Sequence, residues 1–208
     1  MITVHHLNQS RSQRILWLLE ELEVPYEIEF YQRDATTGLA PPELEAVHPL
    51  GKSPVISDGD KVVAESGAIV DYIVRKQGGG RLAPAAGTDD HERYLEWLHY
   101  AEGSAMLPLM LAFYTLRLGE AGAPLQPRID GEIARHLGHV NRSLEGRDYL
   151  LGNELTGADM QMSFVGEMSR GLGRLGDHPN INAWVERMHA RPAYRRAVER
   201  GGAYGIGQ

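Results

Sequence analysis

The sequence predicts two domains of different class, an α/β domain followed by an all-helical one. Over the first eighty residues, short apolar runs alternate with amphipathic helical patterns in the order β-α-β-α-β-β-α. A single strong composition break follows, Gln77-Gly78-Gly79-Gly80-Arg81-Leu82-Ala83-Pro84, whose glycine cluster ending in proline favours a linker over regular structure. Every periodic segment beyond it has helical spacing. The predicted boundaries are therefore 1–77 for the α/β domain, 78–87 for the linker and 88–208 for the helical domain.

Met1 to Leu7 reads as a strand, with Ile2 and Val4 alternating with polar neighbours. Arg11 to Glu23 is a helix: Ile15, Leu18, Leu19 and Leu22 share one face while the glutamates are charged, and Pro25 ends it. Tyr26 to Tyr31 alternates as a second strand, and a short helix is expected near Pro42 to Ala46. Val55-Ile56 and Val62-Val63-Ala64 flank Ser57-Asp58-Gly59-Asp60, whose Asp-Gly signals a hairpin turn. Ser66 to Arg75 closes the domain as a helix with Ile69, Tyr72 and Ile73 on one face. Helices are expected next over His91 to Leu118, kinked at Pro108, then over Leu125 to Leu144, Gly157 to Arg170, Ile181 to Arg191 and Ala193 to Arg200. The glycine-rich residues 201–208 read as a mobile tail.

Composition narrows the function. With 21 basic and 28 acidic side chains the net charge is −7, which argues against a nucleic-acid binder and its basic face. The absence of cysteine excludes disulfides, thiolate metal sites and a cysteine nucleophile. No apolar run approaches the roughly 18 residues needed to cross a bilayer. The first residues lack the basic and apolar regions of a secretory signal, so a cytoplasmic protein is expected, with neither membrane nor nucleic acid as partner.

Several motifs carry little. Gly51-Lys52-Ser53 imitates the end of a phosphate-binding loop, but Ala46 stands where its first glycine belongs and a strand follows instead of a helix. His136 and His139 lie three apart on a predicted helix without acids spaced to complete a zinc site, and read as surface residues; His5 and His6 point to opposite faces of a strand. No metal is expected.

Ser10, where the first strand hands over to the first helix, allows two readings. With Gln13 three residues on it matches a capping box. Its hydroxyl could instead donate to an anion held at the positive end of the helix. Asn8 and Ser12 could play either part. Pro54 opens a strand; a cis bond before it would leave the Ser53 main chain free to pair with an extended peptide-like ligand. Glu65-Ser66 sits at a strand-to-helix junction that can be a cap, or can hold an ammonium and a carboxylate together.

Together, Asn8-Gln9-Ser10-Arg11-Ser12-Gln13-Arg14-Ile15-Leu16-Trp17-Leu18-Leu19-Glu20-Glu21-Leu22, His48-Pro49-Leu50-Gly51-Lys52-Ser53-Pro54-Val55-Ile56 and Glu65-Ser66-Gly67-Ala68-Ile69 resemble the N-terminal half of soluble glutathione S-transferases. Leu155-Thr156-Gly157-Ala158-Asp159 is similar to that family's capping box before its central helix, and Trp97-Leu98-His99-Tyr100-Ala101-Glu102-Gly103-Ser104 is similar to a bacterial and fungal subgroup. The resemblance runs from about residue 2 to about 200.

It implies a thioredoxin-like domain carrying the glutathione site, a helical bundle supplying the second substrate's pocket, and a homodimer. Ser10 falls where the serine-type classes keep a thiol-activating hydroxyl, four residues before Arg14. Ser53 and Pro54 match the cis-proline pair whose backbone binds the cysteinyl unit, Glu65 and Ser66 the γ-glutamyl end, and Lys52 faces the glycyl carboxylate. Ser53 departs from the commoner valine, which matters little for main-chain pairing. Tyr100, Met106 and Tyr114, on or beside the helix bearing Pro108, are candidates for the second pocket. The implied activity is an enzyme of detoxification that conjugates glutathione, as thiolate, to small hydrophobic electrophiles. The alternatives are a glutathione-dependent peroxidase or disulfide reductase, and a non-catalytic binding module.

Overall fold

The computed structural model describes residues 1–207. The chain divides into two compact units. One comprises Met1–Ala83 with His189–Gly205; the other comprises Pro84–Met188 and also takes in residues 206–207.

In the first unit a four-stranded sheet is built from β1 (Ile2–Leu7), β2 (Tyr26–Tyr31), β3 (Val55–Asp58) and β4 (Lys61–Ala64), in the order β2-β1-β3-β4. β1 and β2 are parallel, as the helix α1 (Gln13–Leu22) between them requires, and the β1–β3 and β3–β4 pairs are antiparallel. The β3–β4 hairpin turns on Gly59-Asp60 with Gly59 at φ +60, the conformation glycine adopts without a Cβ clash. The short α2 (Glu43–Val47) follows β2, and α3 (Ser66–Gln77) follows β4 and packs on α1. The observed order is the thioredoxin-like β-α-β-α-β-β-α. Its core is Val4, Ile15, Leu16, Leu18, Leu19, Ile56, Ile69 and Ile73, all fully buried.

Residues 88–208 were expected to form one helical domain, but α9 (Pro192–Gly201) docks on α1 in the first unit. Trp17 meets Tyr194 edge to face at 5.5 Å. Glu20 takes Arg196 and Arg200 at 2.8 Å each, and Glu21 is gripped by both ends of the Arg191 guanidinium. Residues 201–207 of the expected mobile tail are tied down, Gln208 lying outside the described residues: the Gln9 carboxamide donates to Ala203 O and accepts from Gly205 N, both at 2.9 Å, and Tyr204 is buried. Glycine there serves close packing. A Cβ on Gly207 would lie 2.7 Å from Glu167 Cα.

The second unit holds α4 (Asp89–Tyr100), α5 (Met106–Thr115), α6 (Gln126–Ser143), α7 (Gly157–Gly171) and most of α8 (Pro179–Ala190). The expected single helix over His91 to Leu118 is interrupted by a π-helical segment, Ala101–Ala105, and ends in a 3₁₀ stretch, Leu116–Leu125. Pro108 lacks the N–H that would reach back one turn into 101–105, and the wider π turn sits where that bond is missing. α7 is almost wholly buried. A Cβ at Gly166 would lie 2.7 Å from a Val185 methyl, so glycine lets α8 approach α7 closely. Thr156 and Asp159 form the expected capping box, and the fully buried Asp159 carboxylate also accepts from Leu150 N at 2.9 Å and Trp184 Nε1 at 3.1 Å. Burial pushes that carboxyl upward, against the hydrogen bonds that favour its charged form. Among the described residues no helix is long and apolar enough to cross a membrane.

Candidate functional site

Sheet register brings the candidate residues of the first unit to one end. His5 pairs with Val55 and Val55 with Ala64, so β1 leaves the sheet where β3 enters and β4 leaves. The loops carrying Ser10, Ser53-Pro54 and Glu65-Ser66 start from that edge.

The β1–α1 loop is held from several sides. Arg33 donates from its main chain to Asn8 Oδ1 at 2.8 Å, from Nε to Asn8 O at 3.2 Å, from Nη2 to Gln9 O at 3.3 Å and from Nη1 to Gly38 O at 3.0 Å. Gln9 is left-handed at φ +50. Neither Arg33 nor Gln9 was singled out in the sequence, because their partners are main-chain atoms of distant segments. Arg14 is buried and donates from Nε to Arg11 O at 3.4 Å.

Ser10 is not the N-cap. That position belongs to Ser12, and no side-chain capping bond forms there. The buried Ser10 Oγ accepts from Ser12 N at 3.2 Å and lies 2.7 Å from Ser12 Oγ. Gln13, expected to complete a capping box, is buried with its carboxamide unpartnered.

The Ser53–Pro54 bond is cis. The Ser53 hydroxyl donates to His5 O at 2.8 Å and accepts from Leu7 N at 3.3 Å. Its own N–H and C=O enter no main-chain hydrogen bond among the described residues. Gly51 precedes it at φ +54 and β3 follows, so no phosphate-binding loop forms. Lys52 is exposed.

Glu65, exposed, takes φ +68 and ψ 116, outside every region that suits a side chain with a Cβ, while its C=O accepts from Ile69 N at 2.9 Å. Such a backbone costs about 1–3 kcal/mol and persists where surrounding structure imposes it. Ser66 is buried at the first position of α3.

In the helical unit, Tyr100 OH is 2.6 Å from His136 Nδ1, whose Nε2 lies 3.8 Å from Glu132. Burial pushes the Tyr100 phenol up to about 12 and lowers the His136 imidazole. Trp97 stacks on His139 at 5.3 Å. His139 is exposed and His136 half-buried, so both lie at the surface, as expected, each with one side against an aromatic ring. Tyr114 is exposed, but Met106 is buried and belongs to the core.

The comparisons agree with this geometry. The N-terminal domain model of glutathione S-transferases matches residues 1–75 and the C-terminal domain model matches 103–192. The chain belongs to the glutathione S-transferase family. The transferase is 35% identical to glutathione S-transferase 3 of Schizosaccharomyces pombe, over 96% of this chain and 88% of that one. A crystal structure of a glutathione S-transferase from Actinobacillus pleuropneumoniae shares 38% identity and superposes with a TM-score of 0.90, covering 98% of this chain and 94% of the other. A family member from Pseudomonas fluorescens, solved with two glutathione molecules bound, has 27% identity and a TM-score of 0.78 over 95% and 92% of the two chains. The transferase is therefore an enzyme of this family, with the two-domain fold its sequence resembles.

Proposed function

We propose that this transferase binds glutathione at the sheet end where the three loops converge, and holds its sulfur as thiolate for attack on small hydrophobic electrophiles. The observation that carries this is the pairing of two features at one edge. Ser53 spends its side chain on β1 and keeps its main chain uncommitted, and Glu65 is held in a costly backbone beside it in register. An extended peptide such as glutathione meets both needs: its cysteinyl unit pairs with the Ser53 main chain beside Pro54, and its γ-glutamyl end lies against Glu65 and Ser66. Lys52 takes the glycyl carboxylate. Ser10 then addresses the sulfur, as in the serine-type classes that its position resembles.

A free thiol of pKa about 8.5 is only about 3% ionised at pH 7. Lowering it by about two units needs about 2.7 kcal/mol of preferential thiolate stabilisation. One charge-assisted hydrogen bond gives about 1.5–3 kcal/mol and the α1 dipole about 0.3–1 kcal/mol. Tyr100 and Tyr114 are proposed to face the electrophile, with Met106 packing in the core. The fungal and bacterial sources of the relatives support the corresponding subgroup, and a cytoplasmic location follows the same expectation. Leu107, Leu111 and Leu118 expose 59%, 42% and 56% of their surfaces at helical spacing, a stripe suited to a homodimer contact.

The test is ultraviolet titration of the bound thiolate. The expected pKa is about two units below that of free glutathione; an unshifted thiol rejects the proposal.

A further inference from the structure

Behind Ser10 runs an unbroken hydrogen-bonded chain within the first unit. Ser10 Oγ lies 2.7 Å from Ser12 Oγ, Ser12 Oγ lies 2.9 Å from His6 Nδ1, and His6 Nε2 lies 3.0 Å from the Gly201 carbonyl oxygen. Chemistry fixes the direction of each bond. A carbonyl only accepts, so the proton of His6 is on Nε2 and Nδ1 carries the lone pair. Ser12 must then donate its single hydroxyl proton inward, to His6 Nδ1 or to Leu7 O at 3.3 Å. The hydrogen between the two serines therefore belongs to Ser10, which in this arrangement donates away from any ligand.

One change reverses both hydroxyl bonds, leaves the His6 Nε2–H on Gly201 O and orphans no group. If His6 gains a proton on Nδ1, it donates to Ser12, Ser12 donates to Ser10, and the Ser10 proton is released outward. Ser10 Oγ can then accept from both the Ser12 hydroxyl and the Ser12 N–H at 3.2 Å, using its two lone pairs.

We propose that His6 is the acceptor of the glutathione thiol proton, reached through Ser10 and Ser12, and that this transfer turns Ser10 into the thiolate's donor. The S–H proton passes to Ser10 Oγ, the Ser10 proton to Ser12 Oγ, and the Ser12 proton to His6 Nδ1. The products are a thiolate, two neutral hydroxyls and an imidazolium still donating from Nε2 to Gly201. Ser12 and His6 are positioning residues here, since neither touches the sulfur.

The surroundings suit a ring that cycles between neutral and charged. Burial lowers the affinity of His6 for a proton and the Gly201 carbonyl raises it, so the resting ring is neutral at pH 7 and the negative charge of the bound thiolate must offset burial for the imidazolium to persist. Phe30 faces it from β2 with ring centroids 5.8 Å apart, Ser12 from the entrance of α1 and Gly201 from α9, and none of these is ionisable near neutrality. The unpartnered Gln13 carboxamide lies against the same glycine: a Cβ on Gly201 would be 2.8 Å from Gln13 Oε1 and 3.4 Å from His6 Cε1. A buried amide with no hydrogen bond is a dipole free to turn its oxygen toward a cation.

The inference rests on Ser10 being the residue that meets the sulfur, and the test separates the two. Nitrogen NMR of histidine-labelled full-length protein reads the His6 ring directly. The expected result is a neutral Nε2–H tautomer alone and a doubly protonated ring when glutathione is bound at pH 7; a ring that stays neutral while the bound thiol is ionised overturns the relay. In parallel, Ser12→Ala is expected to lower kcat/KM with an aryl halide at pH 6.5 by about a hundredfold, to shift the bound-thiol pKa upward and to leave the KM for glutathione nearly unchanged, with Ser12→Thr restoring all three. An unmoved pH profile in Ser12→Ala overturns the relay alone. If Ser10→Ala also leaves the thiol pKa in place, the Ser10 assignment fails and the relay with it.

Discussion

Ser53 replaces a rung of the sheet for Leu7: its hydroxyl accepts the Leu7 N–H at 3.3 Å and donates to His5 O at 2.8 Å, just before the β1–β3 pairing begins at Val55. The side chain thus bonds two β1 main-chain groups at the end of the β1–β3 ladder. Ser53→Val should leave both without that partner and cost about 1–3 kcal/mol, a fall of several degrees in a thermal melt. Glutathione affinity by calorimetry should change less than about threefold, because ligand pairing uses the main chain. A large loss of affinity at unchanged stability would show that the hydroxyl itself contacts the ligand.

Acid should weaken the fold through buried histidines. Burial lowers the proton affinity of both His5 and His6 below the ordinary histidine value of 6.5. A group with a depressed folded-state pKa binds protons more readily when unfolded. The stability it contributes is present above 6.5 and is lost as pH falls through the folded value. The melting temperature should therefore decline from pH 7 toward pH 5, before the carboxylates titrate. A flat profile over that window would mean that these rings lack the burial assigned to them.

The order of strands and the first-domain helices were legible because burial on one face imposes period two or 3.6 on the sequence, and the hairpin because Gly59 must take a positive φ. The Thr156–Asp159 cap was legible through the resemblance of residues 155–159 to the family's capping box. What escaped was long-range and polar. Ser10 and Gln13 have the spacing of a capping box, yet Ser10 is drawn into the bond to Ser12 and His6, a network closed by Gly201, which is 195 residues from His6 in sequence. The docking of α9 depends on Glu20 and Glu21 meeting arginines about as far away. On a helical projection those glutamates look like an ordinary solvated face.

That docking predicts a second, more acidic transition. Burial pushes the Glu20 carboxyl up, but hydrogen bonds from Arg196, Arg200 and Tyr26 outweigh it and hold the group below its usual value. Its contribution is present above pH 4.5 and is lost as pH falls through the lower folded value. Glu20→Gln should flatten stability against pH below 4.5 and increase hydrogen exchange in α9, where each arginine loses an ionic partner. Unchanged exchange in α9 would show that apolar packing around Trp17 and Tyr194 alone fixes the helix.

Within the second unit, Thr156→Ala and Asp159→Ala should differ in size. Removing the Thr156 hydroxyl deletes the capping bond it accepts from the Asp159 N–H and its 3.0 Å bond to the Asp159 carboxylate, a loss of about 1 kcal/mol. Removing the carboxylate strands Leu150 N–H, Thr156 N–H and the Trp184 indole in a dry interior, which should exceed about 3 kcal/mol. Urea denaturation reads both. Equal losses would mean the capping hydroxyl, not the carboxylate, organises the start of α7.

Glu65 offers the sharpest separation of stability from binding. Its φ of +68 suits glycine, so Glu65→Gly should relieve about 1 kcal/mol or more of backbone strain, offset in part by the greater freedom of glycine in the unfolded chain. The Glu65 C=O to Ile69 N bond at 2.9 Å survives the change, so α3 keeps its first turn. Stability should hold or rise while glutathione affinity falls about tenfold or more through loss of the charge that meets the ligand's ammonium group. Glu65→Gln keeps the strain and the shape and removes only the charge. If Gln binds as tightly as Glu, the γ-glutamyl end is recognised by main chain and Ser66 alone, and the strained backbone would then be required for orienting that main chain rather than for presenting a carboxylate.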